Sequence, residues 1–119
     1  MPPMDVSAHD DANVLYLTTT GRVSGLPRTI EIWFTQHQNK LYLNAEQGRR
    51  AQWVRNLLAH PEVGIRLKDI DLTGRARVLE PQADRELWDI VAALSRQKYG
   101  WGEGLPVELE ILPGECARS

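Results

Sequence analysis

Period-two alternation is the pattern that most restricts how this chain can fold. Leu15 and Leu17 alternate with Val14 and Tyr16. Ile30, Ile32 and Phe34 alternate with Thr29, Glu31, Trp33 and Thr35, and Leu41, Leu43 and Ala45 with Tyr42 and Asn44. Successive side chains of an extended strand point to opposite faces, so this spacing predicts strands with one face on a core. The polar run Gln36–Lys40 and the stretch Thr18–Arg28 join these pieces. Joints this short favour antiparallel neighbours.

The alternation returns at Val63, Ile65 and Leu67, at Ile70, Leu72, Ala76 and Val78, and at Val107, Leu109 and Ile111. Gly74, inside the fifth of these segments, is expected to supply the bulge or bend that curls a sheet. Glu108 and Glu110 share one face of the last strand, which reads as a solvated face. Two stretches change period. From Arg50 to His60, Val54, Leu57 and Leu58 fall on one helical face with Trp53 beside them, and His60-Pro61 ends the run. From Pro81 to Lys98, Leu87, Ile90, Val91 and Leu94 do the same with Trp88 alongside. Asp84 suits that helix's opening turn and Gly100 its stop. The expected fold is mainly β (α+β): a small, partly open antiparallel barrel of about six strands with two covering helices. A chain of 119 residues has core enough for one domain. Residues 14–112 would form it, between an N-terminal arm at 1–13 and a C-terminal tail at 113–119.

A net charge of -2 argues against a dedicated nucleic-acid binder. No apolar run reaches the roughly 20 residues of a membrane span, and the N-terminus lacks the basic-then-apolar order of a signal peptide. The single cysteine, Cys116, has no internal partner and reads as an inert thiol in the tail. Together these features predict a cytoplasmic protein. His9, His37 and His60 lie in separate segments without ligand spacing, so no metal site is expected. The run Gly21-Arg-Val-Ser-Gly25 precedes a strand rather than a helix, which excludes a nucleophile elbow, a dinucleotide fingerprint and a P-loop.

That same run, within Thr18–Arg28, is rich in donors and has no acid. Arg22 and Arg28 bring fixed charge, Ser24 a hydroxyl, and Gly25 backbone freedom, as an anion-binding loop requires. A solvated hairpin kept soluble by its arginines accounts for the same composition. Arg49 and Arg50 weigh on the choice. They stand at the start of the first helix, where the macrodipole disfavours cations by about 0.3–1 kcal/mol unless an anion is bound there.

Leu17–Arg28, followed by Ile32-Trp33-Phe34, resembles the opening of the deazaflavin (F420)-dependent nitroreductase family. Gly48–Val63, with Trp53-Val-Arg-Asn-Leu57 and His60-Pro-Glu-Val63, is similar to that family's next block. The resemblance implies an FMN-binding split-barrel-like fold holding F420. It implies a hydride transfer from reduced cofactor to an electron-poor small-molecule acceptor such as a quinone, enone or nitro compound. The cofactor's phosphate and acidic tail would lie against Arg22, Ser24, Gly25 and Arg28. Ala45, Gly48, Arg49 and Arg50 would add contacts, with Trp53 near the ring or phosphate. Tyr99 and Trp101 correspond to substrate-side aromatics. Tyr99 is a candidate proton or hydrogen-bond donor, or else a ring packed at a helix end. Val23 and Leu26 stand where relatives often carry lysine or another polar residue, which makes the site less basic. FMN, with one phosphate, is therefore the rival cofactor, and a non-catalytic flavin carrier the rival function. Trp33 and Tyr42, on faces phased toward solvent, are candidates for a homodimer interface.

Overall fold

Seven strands form where the alternation runs. The computed structural model describes residues 14–112; the arm, the tail, His9 and Cys116 lie outside the described residues. The strands are β1 (Val14–Thr20), β2 (Pro27–Trp33), β3 (Thr35–His37), β4 (Lys40–Ala45), β5 (Glu62–Leu67), β6 (Ile70–Val78) and β7 (Leu105–Ile111). Helix α1 spans Gln52–Ala59 and α2 spans Arg85–Tyr99. The seventh strand arises because the predicted segment Arg28–Thr35 breaks at Phe34 into β2 and β3. A hairpin then joins β3 to β4 through Gln38 and Asn39, both left-handed at φ 51° and 63°, as a two-residue primed turn requires.

Topology makes the sheet curl. The strand order is β2-β1-β5-β6-β7-β4-β3, with every pairing antiparallel. Strands β2 and β3 are thus the two outer edges, yet Phe34 alone separates them in the chain. Two residues of extended chain reach only about 7 Å. The edges must therefore meet at Phe34, closing the sheet into a barrel that is split at that seam.

Leu15, Leu17, Leu41, Leu43, Ile65, Leu67, Val107 and Leu109 fill the interior, with Val54 and Leu57 of α1 plugging one end. Burial of this size, at about 25 cal/mol per Å² of apolar surface, is the main term favouring the fold. Helix α2 lies on the outer surface and makes a second, smaller cluster of Tyr42, Leu79 and Val91 with Leu87 and Trp88.

The covering by α2 overturns two expectations. Tyr42 is 2% exposed rather than solvent-facing, and Glu108, read as part of a solvated face, is 7% exposed. Strand period two separates the faces but does not say which outer face a helix will cover. The Tyr42 hydroxyl donates to Glu108 Oε2 at 2.9 Å, and Arg77 Nε lies 3.4 Å from Glu108 Oε1. Burial first, and then the Glu108 hydrogen bond, push the Tyr42 phenol far above its ordinary value.

Three further differences are local. Leu58 is 50% exposed, because the buried stripe of α1 runs through Val54, Asn56 and Leu57. Helix α2 starts at Arg85, so Asp84 stands at the N-cap position. Gly74 makes no bulge: the ladder runs unbroken through Val63↔Gly74 and Gly74↔Ile111. Its bare backbone supplies room instead, since a Cβ there would lie 2.8 Å from Ile65 Cδ1.

Asp84 fastens α2 to this outer face. Its Oδ2 accepts from the Glu80 backbone N–H at 2.8 Å and from Arg77 Nη1 at 2.9 Å. The Glu80 bond first, then Arg77, hold the carboxyl below the ordinary carboxylate range. A depressed folded-state pKa contributes stability above the unfolded value, and that contribution is lost as pH falls through the folded value. Asp84→Asn is expected to unfold at lower urea than wild type at neutral pH. The gap should close as the pH drops below about 4. A gap independent of pH would refute this role.

Candidate functional site

The loop between β1 and β2 is built by its own backbone. Gly21 N–H donates to Leu26 O and Gly25 N–H to Gly21 O, each at 2.8 Å. Gly25 takes φ +75°, a left-handed conformation that L side chains rarely adopt. Ser24 Oγ accepts from Leu26 N–H at 3.1 Å. Val23 is 92% and Leu26 58% exposed, so the tip presents apolar groups to solvent beside exposed Ser24 and Arg28.

Arg22 turns the other way. Its backbone N–H and its Nη1 both donate to Asn56 Oδ1, at 3.2 and 2.8 Å, and its Nη2 donates to Gln52 Oε1 at 2.8 Å. Asn56 Nδ2 in turn donates to Thr19 Oγ1 at 3.2 Å. Asn56 is 5% exposed, so this amide is a buried clasp joining the loop to α1. Sequence reasoning missed Asn56. Its signal was legible, a polar residue between Val54 and Leu57 on an apolar helix face.

Arg49 and Arg50 belong to a single 3-10 turn, Gly48–Arg50, ahead of α1. Both are exposed, and Arg49 Nη2 lies 3.7 Å from Glu80 Oε2, an exposed pair of small energetic value. Ala51 precedes the first turn of α1 with no side-chain cap, and that turn carries no acid.

A cavity of about 940 Å³ opens at the barrel seam. It lies between β2, the outer side of β3 and β4, the C-terminal end of α2 and the start of α1. Six aromatic residues line it, Trp33, Phe34, Tyr42, Trp53, Tyr99 and Trp101. Trp33 and Tyr99 stack with centroids 4.7 Å apart and planes 9° from parallel. The Tyr99 hydroxyl donates to Phe34 O and accepts from Phe34 N–H at 3.2 Å. Lys98 Nζ donates to the same carbonyl at 3.2 Å and sits 4.4 Å from the Phe34 ring centroid. Tyr99 thereby ties α2 to the seam.

Polar groups line the cavity too. Thr35 Oγ1 and Asn44 Oδ1 are buried there and have no hydrogen-bond partner. A buried polar atom left unpaired costs about 1–3 kcal/mol, so such atoms mark places where a ligand's donor fits. Glu31 and Glu46 line the cavity as well, and no lysine or arginine does among the described residues.

Of the sequence-predicted site residues, Trp53, Tyr99 and Trp101 line this cavity. Arg22, Ser24, Gly25, Arg28, Ala45, Gly48, Arg49 and Arg50 do not, and Ala45 is buried at 1% exposure. Arg22 still adjoins it through Gln52, which lines the cavity. Thr35, Asn44, Glu31 and Glu46 escaped sequence reasoning because nothing in a strand pattern tells which residues will face a seam.

A split antiparallel barrel closed at one seam defines a fold class, the split barrels. Solved structures agree on this fold. The heme storage protein HutZ from Vibrio cholerae is 20% identical, with 91% of this chain and 87% of that chain covered at a TM-score of 0.73. An F420H2-dependent reductase, FDR-A, is 23% identical over 84% of this chain and 94% of that chain, at a TM-score of 0.61. An FAD-binding protein from Mesorhizobium loti is 16% identical over 93% and 88%, at a TM-score of 0.64. The ligands in these names differ, so the shared fold alone does not choose one. Sequence does. The model of the F420H2-dependent quinone reductase family matches residues 6–109, and the chain belongs to that family. It is an oxidoreductase whose cofactor is F420. No helix among the described residues is long and apolar enough to cross a membrane.

Proposed function

We propose that this protein transfers a hydride from reduced F420 to an electron-poor acceptor such as a quinone, enone or nitro compound. One observation carries the reading. Arg22 bonds Gln52 on α1, and Gln52 and Trp53 line the aromatic cavity, so a cationic loop adjoins a ring-sized site. The residues fit the cofactor. Aromatic faces suit a flat ring, and Thr35 Oγ1 and Asn44 Oδ1 suit the N–H donors of its polar edge. Glu31 and Glu46 make the cavity unfavourable for an acidic tail. The tail and phosphate therefore belong outside it, against Arg22, Ser24, Gly25 and Arg28, with Gly48, Arg49 and Arg50 beyond.

Bound reduced deazaflavin supplies the hydride, and the chain supplies placement. Trp33, Trp53, Tyr99 and Trp101 hold flat partners face to face and exclude water, which raises the population of reactive geometries. Tyr99 holds the seam closed through the Phe34 backbone, and its hydroxyl would serve a reduced acceptor only on leaving its bond to the Phe34 carbonyl. Exposed Trp33 at 50% and Tyr16 at 44%, on the outward face of β1 and β2, support pairing of two copies.

Fluorescence titration with F420 and with FMN tests the cofactor. Bleaching of reduced F420 by menadione above the buffer rate tests the reaction, and tight binding without turnover would leave a carrier. The double variant Arg22→Ala, Arg28→Ala is expected to weaken F420 binding by about tenfold or more while remaining folded. Unchanged affinity in that variant would remove the loop from the site.

A further inference from the structure

The cavity differs in charge from the loop beside it. Glu31 and Glu46, both exposed, are among the residues that line the cavity, and no lysine or arginine is, among the described residues. The Lys98 ammonium donates to the Phe34 carbonyl and lies 4.4 Å from the Phe34 and 5.3 Å from the Tyr99 ring centroid, which leaves the two indoles Trp53 and Trp101 without it. Six aromatic residues line the space, two of which, Trp33 and Tyr99, stack on each other. Thr35, 4% exposed, lines it with a hydroxyl that has no partner. Aromatic faces are negative at the centre and attract cations, most strongly where water is displaced. Carboxylates beside an apolar-walled cleft add to the same potential and repel anions.

We infer that the cavity selects a flat aromatic cation, an N-alkylated heteroaromatic ring, over neutral or anionic rings of the same shape. Its volume of about 940 Å³ stands near the upper end of the roughly 300–1,000 Å³ found for small-molecule sites, leaving room beside a cofactor ring. Read as the acceptor's class, this rests on the reductase function proposed above. Electron-poor cationic rings are themselves good hydride acceptors, so the selection agrees with that chemistry. The binding preference itself belongs to Glu31, Glu46 and the aromatic walls and needs no cofactor.

Three acridines of one shape isolate charge: N-methylacridinium, acridine and acridine carboxylate, in mildly alkaline buffer where acridine is neutral. Quenching of tryptophan fluorescence in the full-length protein without F420 reports their binding. N-methylacridinium is expected to bind about tenfold tighter than acridine, and the carboxylate more weakly than either. In the double variant Glu31→Gln, Glu46→Gln, the cation's advantage should fall to within about twofold. Both side chains are exposed, and circular dichroism checks that the variant folds. Equal or tighter binding of acridine or its carboxylate overturns the inference, as does an undiminished cation preference in the double variant. Loss of F420 turnover with this preference intact would overturn the reductase reading alone. F420 turnover without the preference would overturn this inference alone.

Discussion

Gly104→Ala should destabilise the protein by about 2–3 kcal/mol, the usual cost of forcing a methyl into a packed site. A Cβ at Gly104 would lie 2.8 Å from the Ala45 carbonyl oxygen, 2.9 Å from its carbon and 2.8 Å from Trp101 Cη2. Two of these neighbours are backbone atoms of β4, in the ladder that pairs Ala45 with Leu105, and they cannot turn aside. Gly102 has the same problem against the Ala92 carbonyl of α2. Trp101 directly precedes Gly102, and its carbonyl accepts from Ser95 Oγ. The glycines therefore let a short segment squeeze between β4 and α2 and present an indole to the cavity. Urea denaturation should show the lost stability, and tryptophan emission should shift as Trp101 leaves its place. A Gly104→Ala protein within about 0.5 kcal/mol of wild type would show that the segment has slack.

Asn56→Ala is the second large effect. Removing the amide leaves the Arg22 backbone N–H and the Thr19 hydroxyl without their partner in a site that is about nineteen-twentieths buried. Unsatisfied groups of this kind cost about 1–3 kcal/mol each. The loop also loses its clasp, so F420 affinity should fall about tenfold if the loop holds the phosphate as proposed. Asn56→Asp keeps an acceptor for Arg22, and the Thr19 hydroxyl can rotate to donate to it. It should recover most of both losses. Recovery of stability without recovery of affinity would separate the fold's need for Asn56 from the cofactor's.

Several features were legible in the residues. Alternation located the strands, the switch to helical spacing located α1 and α2, and the resemblance carried by Leu17–Arg28 and Gly48–Val63 agrees with the family that matches residues 6–109. These signals are local: each strand's two faces, or each helix's apolar stripe, is written in neighbouring residues. Trp53, Tyr99 and Trp101, assigned from the resemblance, meet at one cavity despite the separation of Trp53 from the other two in the chain.

Tertiary structure alone decided the rest. Whether Tyr42 and Glu108 face water or α2 depends on where that helix comes to lie, and period two carries no such information. The break at Phe34 is a consequence of closure, because β2 and β3 become opposite edges only once all seven strands have paired. Arg22, which reads in sequence as one of several free cations, is committed to Gln52 and Asn56 through contacts 30 and 34 residues away. The charge of the cavity follows from the same cause. Glu31 and Glu46 come together with six aromatic residues because the edges of a curled sheet must meet, and that meeting is a property of the whole sheet rather than of any segment in it.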